Sequence, residues 1–248
     1  MRPVPSPKPV VWVGQARDEL KALPREVQRT MGIAIWFAQL GGLHPLASPM
    51  KGKLAGVIEI GIDFDRRTFR LMYTAKLGAV IYALCAFPKK ATKGIATPKA
   101  PFGPRRAATS AGPQDPRAGR EVLMNKRAPD FERSSGNVFA DLAFDHPEEE
   151  LAKAQLIFQI VELIRARGLT QIQAAQLLGL PQPKVSLLCR GQSTGFSTDR
   201  LIRFLNRLDQ DIEIVVRTKR STRRPATVRV VRRGRNVRRP QRAIARAT

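Results

Sequence analysis

Between Leu169 and Gln192 the sequence runs LTQIQAAQLLGLPQPKVSLLCRGQ, and few folded arrangements accommodate it. Counted from Gln171, Ala175 is small enough to let two helices cross closely, and Gly179 can take the left-handed conformation that ends the first of them. Ala174, Leu178, Leu180, Val185 and Leu188 then fall on the buried faces that hold the second helix across the first. This is the spacing of a helix-turn-helix. It leaves Gln182, Lys184, Ser186 and Arg190 on the outer side of the second helix, with Thr170 and Gln171 at the start of the first. All six carry donors or acceptors suited to base edges and phosphates in the major groove of DNA. The competing reading is an ordinary helical hairpin whose glycine only caps a helix.

Charge points to the same class of partner. The chain has 248 residues and a formal net charge of +24, which argues for a polyanion such as nucleic acid or the ribosome. Residues 126–216 are nearly neutral, with 11 Lys and Arg against 12 Asp and Glu, whereas residues 1–100 hold 16 against 6 and residues 217–248 hold 13 against none. The helix-turn-helix region is therefore flanked by basic segments. The longest apolar run, Ala79–Phe87, is about half of what a membrane span needs, and prolines occupy the place of a signal peptide's apolar core. A soluble, cytoplasmic protein is expected. Cys85 and Cys189 read as reduced thiols, and His44 and His146 have no metal-ligand spacing around them, so neither a metal nor another cofactor is expected.

The length suits two domains of about 100 residues each. Val10–Val13 reads as a short strand and Gln15–Ala22 as a helix. A second helix starts near Pro24, carries Val27, Met31, Ile35 and Ala38 at helical spacing, and stops at Gly41-Gly42. The period then changes. Val57–Ile62, Thr68–Thr74 and Ala79–Phe87 are β-rich segments separated by turns at Asp63–Arg67 and Ala75–Gly78. The expected N-terminal domain, residues 1–96, is thus α+β, two helices packed on an antiparallel meander. Residues 97–125 are rich in Pro, Gly, Ala and Arg and read as a flexible linker, after which MNKRAPDFERSSGN looks like the start of an independent protein. In the domain expected at 126–216, which is mainly α, Pro147 and Glu148–Glu150 open a long helix. Ser197 or Thr198 caps a last helix, and Ile212–Val216 reads as a short C-terminal strand whose edge suits pairing with a second copy. The tail 217–248 is purely basic and is expected to order only against an anion.

Three stretches of the first half, SPMKGKLAGVIEI, RRTFRLMYT and VIYALCAFPKKATK, resemble the RelE/HigB superfamily of ribosome-dependent messenger-RNA interferases, particularly its phage-derived branch. In the second half, GLTQIQAAQLLGLPQPKVSLLCRGQ and FSTDRLIRFLNRLDQDIEI resemble the HigA-type antitoxins of the Xre/Cro family. The resemblance implies a toxin and its antitoxin joined in one polypeptide. It further implies messenger RNA on the ribosome and operator DNA as partners, and a homodimer through the C-terminal domain.

A nuclease without metal or histidine requires a base for the 2′-hydroxyl, cations for the charged transition state and an acid for the leaving oxygen. By resemblance, Arg70 clamps the scissile phosphate with Lys51 and Lys53 beside it. Lys89 and Lys90 hold the RNA or transfer protons, and Tyr73 and Lys93 assist in RNA binding. A lysine acting as base needs its pKa lowered by neighbouring cations. The resemblance does not account for Phe87-Pro88 ahead of the lysine pair. Tethering through the linker raises the local concentration toward millimolar, so the nuclease is expected to be held inactive in cis, with Asp141, Asp145 and Glu148–Glu150 masking the lysines. The alternatives are a DNA-binding regulator whose toxin-like domain is catalytically dead and serves for docking, and a nuclease released by proteolysis at the linker.

Overall fold

The computed structural model describes residues 6–74, 79–89, 130–215 and 230. The turn expected at Ala75–Gly78, Lys90, Lys93, the linker with the restart at Met124, and all of the basic tail but Val230 lie outside them.

Alternation along three strands builds the first half. Ile58, Ile60 and Ile62 of β3 (Val57–Phe64), Phe69, Leu71 and Tyr73 of β4 (Arg67–Thr74), and Ile81, Ala83 and Ala86 of β5 (Ile81–Lys89) are buried on one face. The β3–β4 turn is tighter than expected. Asp65 and Arg66 take φ of 48° and 59°, a two-residue turn whose twist matches that of the strands, so both strands run on into the expected loop. A bulge at Met72/Tyr73 shifts the β4–β5 register, and the Ala86 N–H donates to the Glu19 carboxylate at 3.0 Å.

β1 (Val10–Val13) lies parallel to β5, and β2 (Ala47–Pro49) lies antiparallel to β3. The sheet order is β2-β3-β4-β5-β1-β6. Its last strand, β6 (Phe131–Arg133), comes from the second half and pairs antiparallel with β1. The meander is therefore the centre of a mixed, six-stranded sheet shared by both halves.

Helix α1 (Ala16–Lys21) packs on β5 and β1. Helix α2 (Arg25–Gln39) is buried over almost its whole circumference, with Thr30 through Gln39 all inaccessible. A helix apolar all round is one enclosed on both sides. The sheet covers one side of α2, and α3 (Val138–Asp141) and α4 (Pro147–Ala166) cover the other. Pro147 and three glutamates begin α4 as expected. Against α4 pack α6 (Gln182–Cys189) and α7 (Thr198–Arg207), with α5 (Gln171–Leu178) against α6 and α7. The Ser197 side chain caps α7 by accepting from the Arg200 N–H. The strand expected at Ile212–Val216 is corrected: residues 211–215 are exposed and form no strand, because no neighbouring strand among the described residues offers them a ladder. Buried side chains of both halves form one continuous apolar cluster. No helix among the described residues is long and apolar enough to cross a membrane.

Candidate nucleic-acid interfaces

The crossing of α5 and α6 is built as the spacing requires. Thr170 and Gln173 form a reciprocal capping box at the start of α5, so the Thr170 hydroxyl is engaged in capping the N-terminus of that helix. Gly179 closes α5 with φ +60°, and a side chain there would run into the Arg207 guanidinium, which donates to the Leu178 carbonyl. Ala174, Leu178, Val185 and Leu188 are buried at the crossing, with Ala175 and Leu180 nearly so. On the outside, the Gln182 side-chain amide donates to Gln171 Oε1 at 2.6 Å, fixing the starts of both helices to each other. Gln171, Gln182, Lys184 and Arg190 are exposed, and Ser186 is half-buried. None of them is a carboxylate, and all but Gln171 lie along α6, from its first residue to its C-cap.

The seam with the first half lies elsewhere on this bundle. Phe139 of α3 sits over Gly32 of α2, where a Cβ would come within 2.7 Å of the ring. The Phe158 ring of α4 lies on Gly42 and stacks edge-on with Phe37 at 4.8 Å. Gly191, just after α6, takes φ +68° and faces His44 and Ile33. These three hydrogen-only positions let large rings and backbone approach α2 closely. Polar contacts surround them. Arg29 Nε donates to both Glu150 oxygens at 3.0 Å, and Arg25 donates to the Leu142 and Ala143 carbonyls at 3.0 and 2.7 Å while lying over the Phe144 ring. The Trp12 indole donates to Asp141 at 3.1 Å, and Arg165 to the Leu43 carbonyl at 3.0 Å. Arg17 pairs with Glu132, and the Thr194 hydroxyl bonds Glu26.

His44 sits inside this seam, 1% exposed. Its Nδ1 accepts from the Leu46 N–H at 3.2 Å, and its Nε2 has no hydrogen-bond partner among the described residues. Burial, with the nearby Arg165 charge, lowers its pKa to about 3.

The outer sheet face, away from α2, carries Arg70, one of the residues expected to act on RNA. Arg70 lies opposite Gly61 on one side and Phe87 on the other. Among the described residues nothing stands within 4 Å of the place a Gly61 Cβ would occupy. Arg70 Nη1 donates to Glu59 at 2.6 Å, a partner that sequence reasoning missed. Lys89 lies opposite Thr68 at one end of β4. Lys51 and Lys53, both exposed, lie in and beside the turn Gly52–Leu54 between β2 and β3, near the opposite end where Val57 meets Thr74. From Thr68 to Thr74 a strand rises about 20 Å. Lys51 and Lys53 thus lie toward one end of β4 and Lys89 toward the other, and these described lysines form no single cluster.

Two expectations are corrected. Tyr73 is fully buried on the α2 side of the sheet, and burial pushes its phenol up to about 12, so it is a core residue out of reach of RNA in this arrangement. Among the described residues, Asp141 and Glu150 do not mask Lys51, Lys53 or Lys89. Asp141 and Glu150 are taken by Trp12 and Arg29 on the helical side, because the second half docks on α2 and on the β1 edge. Both thiols are half-buried and unlinked. Burial raises both, Cys85 to about 11 with the Glu19 charge adding to it, which leaves little thiolate at neutral pH.

With this geometry in hand, two family resemblances are informative. Residues 18–101 match the family described as phage derived protein Gp49-like, and residues 138–217 match a helix-turn-helix domain family. A solved structure of an XRE family transcriptional regulator is 43% identical over an alignment covering 35% of this chain and 97% of that one, with a TM-score of 0.33. No curated protein matches.

Proposed function

We propose that this chain, a Gp49-like domain of the RelE-like superfamily joined to an XRE-type helix-turn-helix domain, is a toxin–antitoxin fusion of the HigB/HigA kind that represses its own promoter. The observation that carries the DNA-binding reading is the exposure of Gln171, Gln182, Lys184 and Arg190 while α3 and α4 are packed on α2. The groove-reading face is available in the joined chain. A helix-turn-helix pair reads half-sites one helical turn apart, so a homodimer on a palindromic operator is the form proposed to act.

The test is a gel shift on the DNA upstream of the gene, with Lys184→Ala plus Arg190→Ala as the variant. Loss of two charge-assisted contacts is expected to weaken binding by about 100-fold or more. Full-strength binding by the double variant would remove these residues from the interface.

For the first half the proposal is cleavage of ribosome-bound messenger RNA on the outer sheet face. Glu59 beside Arg70 supplies what lysines alone supply poorly: a carboxylate to accept the 2′-hydroxyl proton as that oxygen attacks phosphorus, next to a guanidinium for the charge on the phosphate, while the P–O5′ bond breaks, a 2′,3′-cyclic phosphate forms and Lys89 or Lys90 gives its proton to the leaving 5′-oxygen. Lys51, Lys53 and Lys89, with Lys90 and Lys93, extend the cationic surface along the RNA. In the joined chain the bulk of the second half keeps this domain from the ribosome. Residues 1–100 expressed alone are expected to arrest growth, and Arg70→Ala or Glu59→Gln in that fragment to relieve the arrest, with the whole chain harmless. Equal toxicity of whole chain and fragment would end the idea of inhibition in cis. Harmlessness of a fragment shown to accumulate folded would favour the alternative, a regulator whose toxin-like domain only docks.

A further inference from the structure

We propose that β6, the strand the second half adds to the sheet, extends the outer face into a stacking surface for single-stranded RNA. Phe131 and Tyr82 are the rings that take bases, and Arg133 is a phosphate contact. The proposal rests on the reading of this face as the RNA surface and adds to it two residues from the other half of the chain.

Strand pairing fixes which way the side chains of β6 point. Glu132 lies opposite Trp12, whose indole donates to Asp141 on the helical side, and Glu132 pairs with Arg17 of α1. By alternation Phe131 and Arg133 stand on the other, outer face. Tyr82 shares that face. It lies between the inward Ile81 and Ala83, opposite Val11, which in turn lies opposite Arg133. The Tyr82 and Phe131 rings meet edge-on with centroids 6.5 Å apart. Arg70 of β4 is on the same face, three strand spacings from β6, a separation on the order of 15 Å.

Exposure and charge select the occupant. Phe131 is 53% exposed, so a three-residue strand holds an aromatic ring half in water, and the edge-on contact with Tyr82 leaves much of it uncovered. The carboxylates of this face are already engaged: Glu59 pairs with Arg70, and Asp63 accepts from the Thr68 hydroxyl at 2.7 Å. Arg133 and Lys89 are exposed and form no ion pair among the described residues. Rings set beside uncompensated cations fit a polyanion whose bases can leave their own stack. Single-stranded RNA is such a partner, whereas a duplex keeps its base faces inside.

The experiment is fluorescence anisotropy of a labelled, unstructured RNA of about 12 nucleotides titrated with the full chain. High salt is used to weaken attachment through the basic residues of 217–248. Phe131→Leu keeps an apolar contact for Tyr82 but has no ring, and is expected to bind on the order of 10-fold more weakly. Phe131→Trp is expected to bind as tightly as the wild type. Neither changes the dependence of affinity on salt, whereas Arg133→Gln lowers its slope by about 0.7. Circular dichroism and the thermal midpoint check that all three variants fold. Wild-type affinity in Phe131→Leu overturns the proposal, as does an equal loss in the Leu and Trp variants or a wild type that does not bind the RNA. The growth assay of residues 1–100, which lack Phe131, separates this outcome from the reading beneath it. Growth arrest without RNA binding through Phe131 removes the stacking surface and leaves the cleavage. A harmless fragment with RNA binding through Phe131 in the full chain keeps the surface and removes the cleavage.

Discussion

Phe139→Ala is expected to destabilise the whole chain by about 3–5 kcal/mol, the cost of truncating a fully buried phenylalanine. Phe139 is 0% exposed. It lies on Gly32 of α2 and meets Phe144 edge-on at 5.6 Å, and Phe144 carries the Arg25 guanidinium over its ring at 4.4 Å. Its N–H is held by the Asn137 side chain at 3.0 Å, which starts α3. Gly32 leaves a notch that no smaller residue at 139 fills, so Ala leaves a cavity between the halves. Against a typical total of about 5–15 kcal/mol, the loss corresponds to a fall in Tm on the order of 10 °C for a protein of this size, measured by thermal and urea denaturation. Gly32→Val is expected to act in the same direction by overpacking, since even a Cβ comes within 2.7 Å of the ring. A loss below about 1 kcal/mol for Phe139→Ala would mean that the halves are not anchored at this point.

Much of this seam lay hidden in the sequence, for physical reasons. The stripe Val27, Met31, Ile35 and Ala38 marks α2 as a helix on the sheet. The second stripe, Thr30, Ile33, Ala34 and Phe37, was equally present and signals an enclosed helix, but it does not say what encloses it. Strand β6 has three residues, two of them charged, too few for alternation to register, and its partner β1 lies about 120 positions earlier. Glu59 was invisible for a related reason. Its contact with Arg70 is diagonal and follows from the register that sets Gly61 opposite Arg70, and that register depends on the two-residue turn at Asp65-Arg66. The helix-turn-helix was legible because its constraints are local: a left-handed glycine, a small residue at the crossing and the apolar positions around them all act within a few residues of one another. The lysines of SPMKGK and FPKK were legible as strand-end charges, whereas their separation along the sheet was not.

His44 makes the seam sensitive to acid. In the folded chain its pKa is lowered to about 3 by burial and by Arg165, against 6.5 for the free side chain. The unfolded chain therefore takes up a proton in a range where the folded chain does not. Stability from this group is complete above pH 6.5 and is lost as the pH falls from 6.5 toward 3. Between pH 6.5 and pH 5, above the ordinary range of the carboxylates, the loss amounts to about 2 kcal/mol. Urea denaturation at the two pH values, in the wild type and in His44→Leu, checks this as a difference of slopes. The wild type is expected to lose about 2 kcal/mol more than the variant over that interval. The groups that face the ring from the elements around it are the edge of Phe37, the Gly191 backbone, Ile33 and Arg165. None is a carboxylate that would welcome the proton. A protonated imidazole here has one nitrogen without an acceptor and the other turned from acceptor to donor against the Leu46 N–H, so the cheapest response is to open the seam where Gly191 and α4 meet α2. Hydrogen exchange should accordingly rise first in those segments as the pH falls, before the central strands respond. Equal slopes in wild type and variant would mean that His44 takes up its proton within the folded chain and that the seam tolerates the charge.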